Sequence, residues 1–587
     1  MDDVGHIRRP RSPAPFVRPG RRHAASMLVM LVLSLVLALT STAQAGPTKS
    51  TRAQSSDLAS VIVRARPGAE HQARAAVARL GGTIGMRLSI VNGFAAKLPE
   101  ARVQELRSSP ANLGVTPNRV VRSLGADYSG VDVATDIGAM ANVVTLTGAR
   151  AYWAAGFTGT GVGVALIDTG VSTVDGLSTK GKVINGPDLS FDSQNSKTRY
   201  IDGFGHGTHL AGIIAGRATG ARRAYATDFR NFLGMAPDAS VVNVKVGDKE
   251  GVTDVSQVIA AIDWVVQHRD DKGLNIRVLN LSYGTDTAQP YTDDPLAYAA
   301  EQAWKAGIFV VTAAGNAGFS LGGTLVNPAY DPLLMAVGAT DMNGTFITSD
   351  DTVASFSSTG LTGNTTGSGS GSRAVDVLAP GSHIVSLRVP GSHADVNYGS
   401  TGLVNSTLFR GSGTSQAAAV VSGAAALVLQ QRPAITPDQL KALFKATATR
   451  VSGDTLATGS GQINVAAALL SRTPSASPLT TSSTGTGSLE LSRGSLHVVA
   501  NGVVLEGEQD IFGMPFDSGA MAILEAAQSS WSGGMWNGSS WSGSSWSGSS
   551  WSSSSWSGSS WSGSSWSGSS WSSSSWSTAG WLGASWG

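Results

Sequence analysis

From Val162 onward the chain alternates continuous apolar runs with helical stretches, and that alternation leaves few folds open. Residues 162–167, 241–246, 278–281 and 308–312 are largely apolar, as strands covered on both faces must be. Between them, residues 256–268 and 296–306 carry helical periodicity, the second opened by Asp294 as N-cap and Pro295 at the first helical position. Thr436-Pro437-Asp438-Gln439 predicts another helix start through a capping box. Residues 416–430 are almost all Ala, Val, Leu and Ser, which predicts a helix buried on most of its surface. The pattern predicts an α/β fold with a mostly parallel sheet and helices on both faces, its functional groups gathered at the carboxyl ends of the strands.

Four segments place reactive side chains at such positions. Asp168 follows the first strand and precedes a Thr169-Gly170 turn; aspartate there either exposes its carboxylate at the sheet edge or caps the turn. His206 lies in Gly205-His206-Gly207-Thr208-His209, where glycines clear space for an imidazole at a helix start. His206 and His209 could share a metal, but the glutamate of the zinc-protease pattern does not stand between them. Asn316 ends Ala313-Ala314-Gly315-Asn316, directly after the fourth strand, and either turns its amide into a cleft or caps a turn. Ser415 sits in Gly413-Thr414-Ser415 at the head of the buried helix, where unpaired backbone N–H groups favour a developing oxyanion.

The first 45 residues read as a secretory signal peptide. Residues 27–39 are apolar, six arginines precede them and Ala43-Gln44-Ala45 follows; the run is short for a membrane span, so no membrane association is expected after cleavage. The chain has no cysteine, which excludes a disulfide framework, a thiolate metal site and a cysteine nucleophile. A formal charge of +2 gives no reason to expect nucleic acid as a partner. Its distribution is uneven. Residues 46–124 hold 12 Lys and Arg against 4 Asp and Glu (net +8), whereas residues 125–587 hold 24 against 34 (net −10). Within the basic segment, residues 61–63 and 94–98 read as strands and 70–80 and 101–107 as helices, a small α+β unit. Residues 125–145 lack periodicity and read as a link.

At the other end, residues 473–487 read as a Ser/Thr/Gly/Pro linker, and 488–526 as a small region with a hairpin about Asn501-Gly502. In the 527–587 tail, tryptophan recurs at every fifth residue from Trp531 to Trp586, and nothing charged follows Glu525. A spacing of five fits neither the helix nor the strand period. A flexible chain of aromatic rings is the first reading of this tail and a repetitive β-structure the second; either could hold cell-wall glycan, because indole faces suit sugar rings.

The words Ile-Asp-Thr-Gly at 167–170, His-Gly-Thr-His at 206–209, Ala-Ala-Gly-Asn at 313–316 and Gly-Thr-Ser at 413–415 resemble, in that order, the subtilisin-like serine peptidases. Gly234-Met235-Ala236-Pro237, Asn280-Leu281-Ser282-Tyr283-Gly284, Asn327-Pro328-Ala329 and Val337-Gly338-Ala339-Thr340 add to the resemblance, and residues 90–99 are similar to the central segment of the family's inhibitory propeptide. The tail resembles that of secreted actinobacterial members. The resemblance implies a ferredoxin-like propeptide over 46–124, a maturation site within 125–145 and a peptidase domain over 146–472. It also implies a triad of Asp168, His206 and Ser415, with an oxyanion hole formed by the Asn316 amide and the Ser415 N–H. Ser282, Tyr283 and Gly284, with Ala313, Ala314 and Gly315, would line the substrate channel and pair with a bound peptide. Implied partners are protein or peptide substrates and the chain's own propeptide as intramolecular inhibitor; the implied location is extracellular, with cell-wall association through the tail. No cofactor is implied for the chemistry. Structural calcium stays unassigned, with Asp293-Asp294 and Asp350-Asp351 as candidate carboxylate pairs, although such pairs are more often solvated turns. Gln416 to Val420 depart from the family's usual Met-Ala-Ser-Pro-His, which leaves specificity open. The alternative function is a catalytically silent surface-binding protein on the same scaffold.

Overall fold

A computed structural model describes residues 58–117 and 135–540, apart from 89–91, 222, 288, 319–322, 361–372, 477–480 and 501–502. The expected signal peptide, most of the expected link and the repeats beyond Ser540 lie outside the described residues. The chain forms two compact units, divided after Val121.

In the first unit, β1 (Leu58–Ala65), α1 (Glu70–Arg79), β2 (Thr83–Leu88), β3 (Gly93–Pro99), α2 (Val103–Arg107) and β4 (Asn112–Pro117) follow one another. The strands form an antiparallel sheet in the order β2-β3-β1-β4. This β-α-β-β-α-β order is that of ferredoxin-like folds. Val61, Val63, Phe94, Ala96 and Leu98 of the sheet share one core with Ala73, Ala76 and Val77 of α1 and Leu106 of α2.

The second unit starts earlier than the sequence pattern suggests. Helix α3 (Met140–Leu146) falls in the segment expected to be a link, yet Met140, Val143 and Val144 are buried in the main core. Asp136, just before it, is paired with Arg410 at 2.7 Å. The period escaped notice because seven residues are too few to display it.

The central sheet is built from β5 (Gly163–Asp168), β6 (Val183–Asp188), β7 (Ser240–Lys245), β8 (Ile276–Leu281), β9 (Phe309–Ala313), β10 (Met335–Asp341), β11 (Thr352–Val353) and β12 (Val377–Pro380). Their order is β11-β10-β9-β8-β5-β7-β6, with β12 also on β10, and every pairing except β10 with β11 is parallel. From β5 the chain runs out to β6 at the edge, comes back to β7 beside β5 and then crosses to β8 on the other side, so β5 lies at the point where strand order reverses, the usual site of ligand crevices in open α/β sheets. Helices α4 (His206–Ala215), α5 (Val255–His268), α6 (Pro295–Lys305), α7 (Thr414–Gln431) and α8 (Pro437–Thr447) complete the layers. Asp254 and Gln257 form a capping box on α5, Asp294 caps α6 ahead of Pro295, and the Thr436–Gln439 box opens α8 as expected. Asp294 is therefore a buried cap rather than part of a solvated carboxylate pair.

Residues 483–540 are not a linker and a separate region; they continue the second unit. Ser483 N–H donates to Glu301 at 2.7 Å, Thr484 N–H to Thr292 O at 2.7 Å and Gly487 N–H to Asp293 O at 2.7 Å. Helices α9 (Leu489–Arg493) and α10 (Ser518–Ala526) follow, and Leu489, Leu496, Leu505, Ile511, Phe516 and Met521 join the main core. The expected hairpin is short, Val499–Ala500 against Val503–Val504. The first two tryptophans of the tail belong to the body as well. Strands β13 (Trp531–Ser532), β14 (Met535–Trp536) and β15 (Ser539–Ser540) form a small meander in which Trp531 faces Trp536. Its turns, Gly533-Gly534 and Asn537-Gly538, have all four residues at positive φ, as tight hairpin turns of this kind require. No Gly-Gly or Asn-Gly recurs in the repeats that follow, so the five-residue period hid a difference in turn chemistry.

Trp536 is fully buried and donates its indole N–H to Asp263 of α5 at 2.7 Å. Burial pushes the Asp263 carboxyl up from 3.8 to about 7, and burial, followed by the nearby Asp263, pushes Glu525 well above its usual range. Both groups thus hold protons more tightly in the folded than in the unfolded chain. With respect to these two buried carboxyls the fold is therefore most stable at low pH, and that stability is lost as pH rises from about 4 through about 7, while the Trp536 hydrogen bond offsets part of the cost of ionising Asp263. Asp263→Asn keeps an acceptor for Trp536 and removes one titration. The fall in melting temperature between about pH 5 and about pH 8 should be smaller in this variant than in the parent, and an unchanged fall would contradict the assignment.

Candidate active site

The sequence-derived candidates meet at the carboxyl edge of the sheet. Asp168 is the last residue of β5, Ser282 to Gly284 follow β8, and Asn316 lies just beyond β9. His206 opens α4 beside the end of β5. Helix α7 begins at the same edge, with Gly413 N–H bonded to Gly381 O, one residue past β12, at 2.9 Å.

His206 Nδ1 lies 2.8 Å from Asp168 Oδ1 and 3.1 Å from Oδ2, with both side chains essentially buried. Asp168 Oδ1 also accepts the Thr169 N–H at 2.8 Å. An imidazole held this way carries its Nδ1 proton toward the carboxylate and leaves Nε2 for chemistry. The pair is anchored by Asp202, a residue that motif reading missed. Asp202 is fully buried and accepts from Thr169 Oγ1 at 2.8 Å, Gly205 N–H at 2.6 Å and Thr208 N–H at 2.7 Å, so it satisfies orphan donors at the start of α4 while holding the turn after β5. Burial pushes its carboxyl up, against those hydrogen bonds. A carboxylate four residues ahead of His206 was the available signal. His209 does not share a ligand position with His206: its Nε2 meets Phe409 O at 3.1 Å. Burial, then the proximity of His206, pushes its pKa down to about 3, so it is neutral at physiological pH.

Around the serine, the amide of Asn316 is oriented by the neighbour of Ser415. Thr414 N–H and Thr414 Oγ1 both donate to Asn316 Oδ1 at 3.0 Å, and Gly315 N–H donates to Thr414 Oγ1 at 3.1 Å. With Oδ1 committed, the Asn316 Nδ2 end is buried and without a partner among the described residues, as is the Ser415 hydroxyl. Two buried polar groups left unpaired carry a cost, and such groups are found where a ligand completes them. Both polar atoms of Gln416 are also buried and have no partner among the described residues.

The substrate-channel candidates divide. Ala314 N–H is bonded to Val337 O at 3.0 Å and Ala314 O to Val326 N–H at 3.1 Å, while Gly315 O accepts Ser358 N–H at 2.8 Å. The backbone of Ala314 and Gly315 is thus engaged within the fold, which corrects the expectation that these residues pair with a bound peptide. Ser282 and Tyr283 are buried, and Asn280 Nδ2 donates to Ser282 Oγ at 3.0 Å. Among the described residues there is no group of three or more His, Cys, Asp or Glu placed to hold a metal ion.

A model of the subtilase family (Peptidase_S8) matches residues 159–487. Serine protease AprX of Bacillus subtilis (strain 168) is 36% identical over 363 residues, which cover 61% of this chain and 74% of that protein. Subtilisin E of the same organism is 30% identical over 394 residues, covering 67% and 84%. Among solved structures, fervidolysin from Fervidobacterium pennivorans, a keratinolytic enzyme related to subtilisin, aligns with a TM-score of 0.44 and 23% identity, over 73% of this chain and 63% of that one. With more than half of its length matched by the family model, and with relatives of this identity and coverage, the chain belongs to the subtilase family of serine-type endopeptidases.

Proposed function

We propose that the protein is a secreted endopeptidase, made as a self-processed zymogen, that cleaves protein substrates through an acyl-enzyme on Ser415. Ser415 Oγ attacks the scissile carbonyl as its proton passes to His206 Nε2. Asp168 holds the imidazole in the correct tautomer and stabilises the imidazolium. The oxyanion is met by Asn316 Nδ2 and the Ser415 N–H, and the proton on His206 then goes to the leaving amine. Water, deprotonated by the same histidine, releases the acyl group. The observation that carries this reading is the 2.8 Å contact of His206 with Asp168, together with an Asn316 amide whose oxygen is fixed by Thr414 next to the nucleophile. Ser282 to Gly284 supply the channel edge. Backbone recognition of that kind favours broad sequence tolerance.

Replacement of single residues tests the assignment. Asn316→Ala should cost about 10²–10³ in kcat, as loss of the corresponding donor does in a subtilisin. Ser415→Ala should cost on the order of 10⁶, again by analogy with a subtilisin. Loss of less than about tenfold from either change would remove that residue from the mechanism.

The basic 46–124 unit is the inhibitory propeptide, steered to the acidic remainder by opposite charge. Added in trans to the mature enzyme, it should associate more slowly as salt is raised; a salt-independent association rate contradicts steering.

The repeats beyond Ser540 are a wall-binding tail. Because Trp531 and Trp536 belong to the folded body, the informative cut is after Ser540 rather than after Ala526. That truncation should preserve turnover and release the protein from isolated cell walls, and unchanged wall retention would exclude the role.

A further inference from the structure

The segment that leaves the substrate edge is clamped along its length by the C-terminal extension. Thr285 Oγ1 donates to Ser492 O at 2.7 Å and Thr287 Oγ1 to Leu491 O at 2.5 Å. Asp286 accepts Ser495 N–H at 2.7 Å and Ser495 Oγ at 2.6 Å. Gln289 accepts Ser488 N–H at 2.7 Å and donates to Ser488 O at 3.2 Å. The approach is tight enough to need a glycine: Gly494 has φ +60°, and a Cβ there would lie 2.3 Å from Asp286 Oδ1 and 2.9 Å from the Asp286 carbonyl carbon.

Behind this contact Arg493 is wholly buried. Its Nε donates to Asp254 at 2.7 Å, with neither side chain exposed, and the other guanidinium donors reach Gly507 O at 2.7 Å, Glu490 at 3.0 Å and Gln509 O at 2.5 Å. A buried guanidinium with every direction satisfied permits little displacement. Tyr283 packs in the same core. Burial holds its phenol well above the usual range, and Asp254 and Arg493 lie close enough to act on it electrostatically. Residues 282–287 are therefore held from their end by α9 and from behind by the ion pair that α9 inserts.

We propose that α9, through Arg493 and the contacts of Ser488, Leu491, Ser492 and Ser495, is a brace that sets the position of residues 282–284, so that binding of extended peptides depends on the C-terminal extension. The proposal rests on the reading of 282–284 as the channel edge. Arg493 and the brace residues are positioning residues, acting through residues 282–284.

The test uses the full mature chain, with active sites titrated by a phosphonate, and two substrates: a single-residue acyl ester and a peptide extending several residues to either side of the cleaved bond. Asp286→Ala, at an exposed position, and Thr285→Val remove brace contacts without touching the machinery. Each should raise KM for the extended peptide by at least about three- to tenfold, the effect of one hydrogen bond, with Asp286→Ala, which removes two, at the upper end, while leaving ester turnover and the phosphonate reaction within about twofold. Gly284→Val, whose side chain would meet Val326 within 2.3 Å, displaces the edge directly and serves as the reference. If Gly284→Val selectively weakens the long peptide and the brace variants do not, the brace is wrong and the channel edge stands. If Gly284→Val shows no length dependence, the channel reading fails and the brace with it. Equal losses on both substrates for the brace variants would mark a merely structural role and overturn the proposal.

Discussion

Helix α7 is the constraint on which the rest depends. Every residue from Thr414 to Leu429 is buried, and a helix of Ala, Val, Leu and Ser has no face to offer solvent. It must be enclosed, and it packs against α4, β5, β8, β9 and β10 together. Enclosure brings the helix start inside as well, where the first four N–H groups have no carbonyl of their own to bond. Asn316 Oδ1 takes the N–H and the hydroxyl of Thr414, the neighbour of Ser415, and those two bonds hold the asparagine with its donor end unpaired among the described residues. Packing of apolar surface thus determines where the polar machinery sits.

Around this core, charged groups are taken out of water at specific points, each with enough partners to offset the cost. Asp202 joins the turn after β5 to the head of α4, and so links Asp168 to His206 through backbone geometry as well as through their direct contact. Arg493 with Asp254 does the same between the C-terminal extension and the cap of α5. Buried ion pairs add little net stability, but removing one partner leaves an uncompensated charge at a cost of about 3–5 kcal/mol, so they tie the chain to one arrangement. The extension is thus part of the catalytic body, and Trp536 on Asp263 extends that attachment into the first repeats of the tail.

Much of this was legible in the sequence because it rests on short-range rules. The apolar runs at 162–167 and 308–312 became β5 and β9 with shifts of one residue, and the caps at Asp294 and Thr436 stand as read. The words around Asp168, His206, Asn316 and Ser415 found the edge of the sheet for the same reason: each follows a strand or opens a helix. What escaped depends on distant partners. Nothing near Arg493 in sequence says that it pairs with Asp254, and nothing in Ala314 or Gly315 says that Val337, Val326 and Ser358 already use their backbone. The tail misled by its regularity, because Trp531 and Trp536 share the period of the later repeats but have turn residues the others lack.

The central claim is that Ser415 is a nucleophile activated by the Asp168–His206 pair. Its most direct test is reaction of the purified mature protein with an active-site phosphonate, followed by mass spectrometry of the labelled peptide, beside a His206→Ala control. The account predicts stoichiometric modification confined to Ser415 and strongly slowed in the control. Absence of labelling, or labelling that proceeds equally without His206, would contradict it.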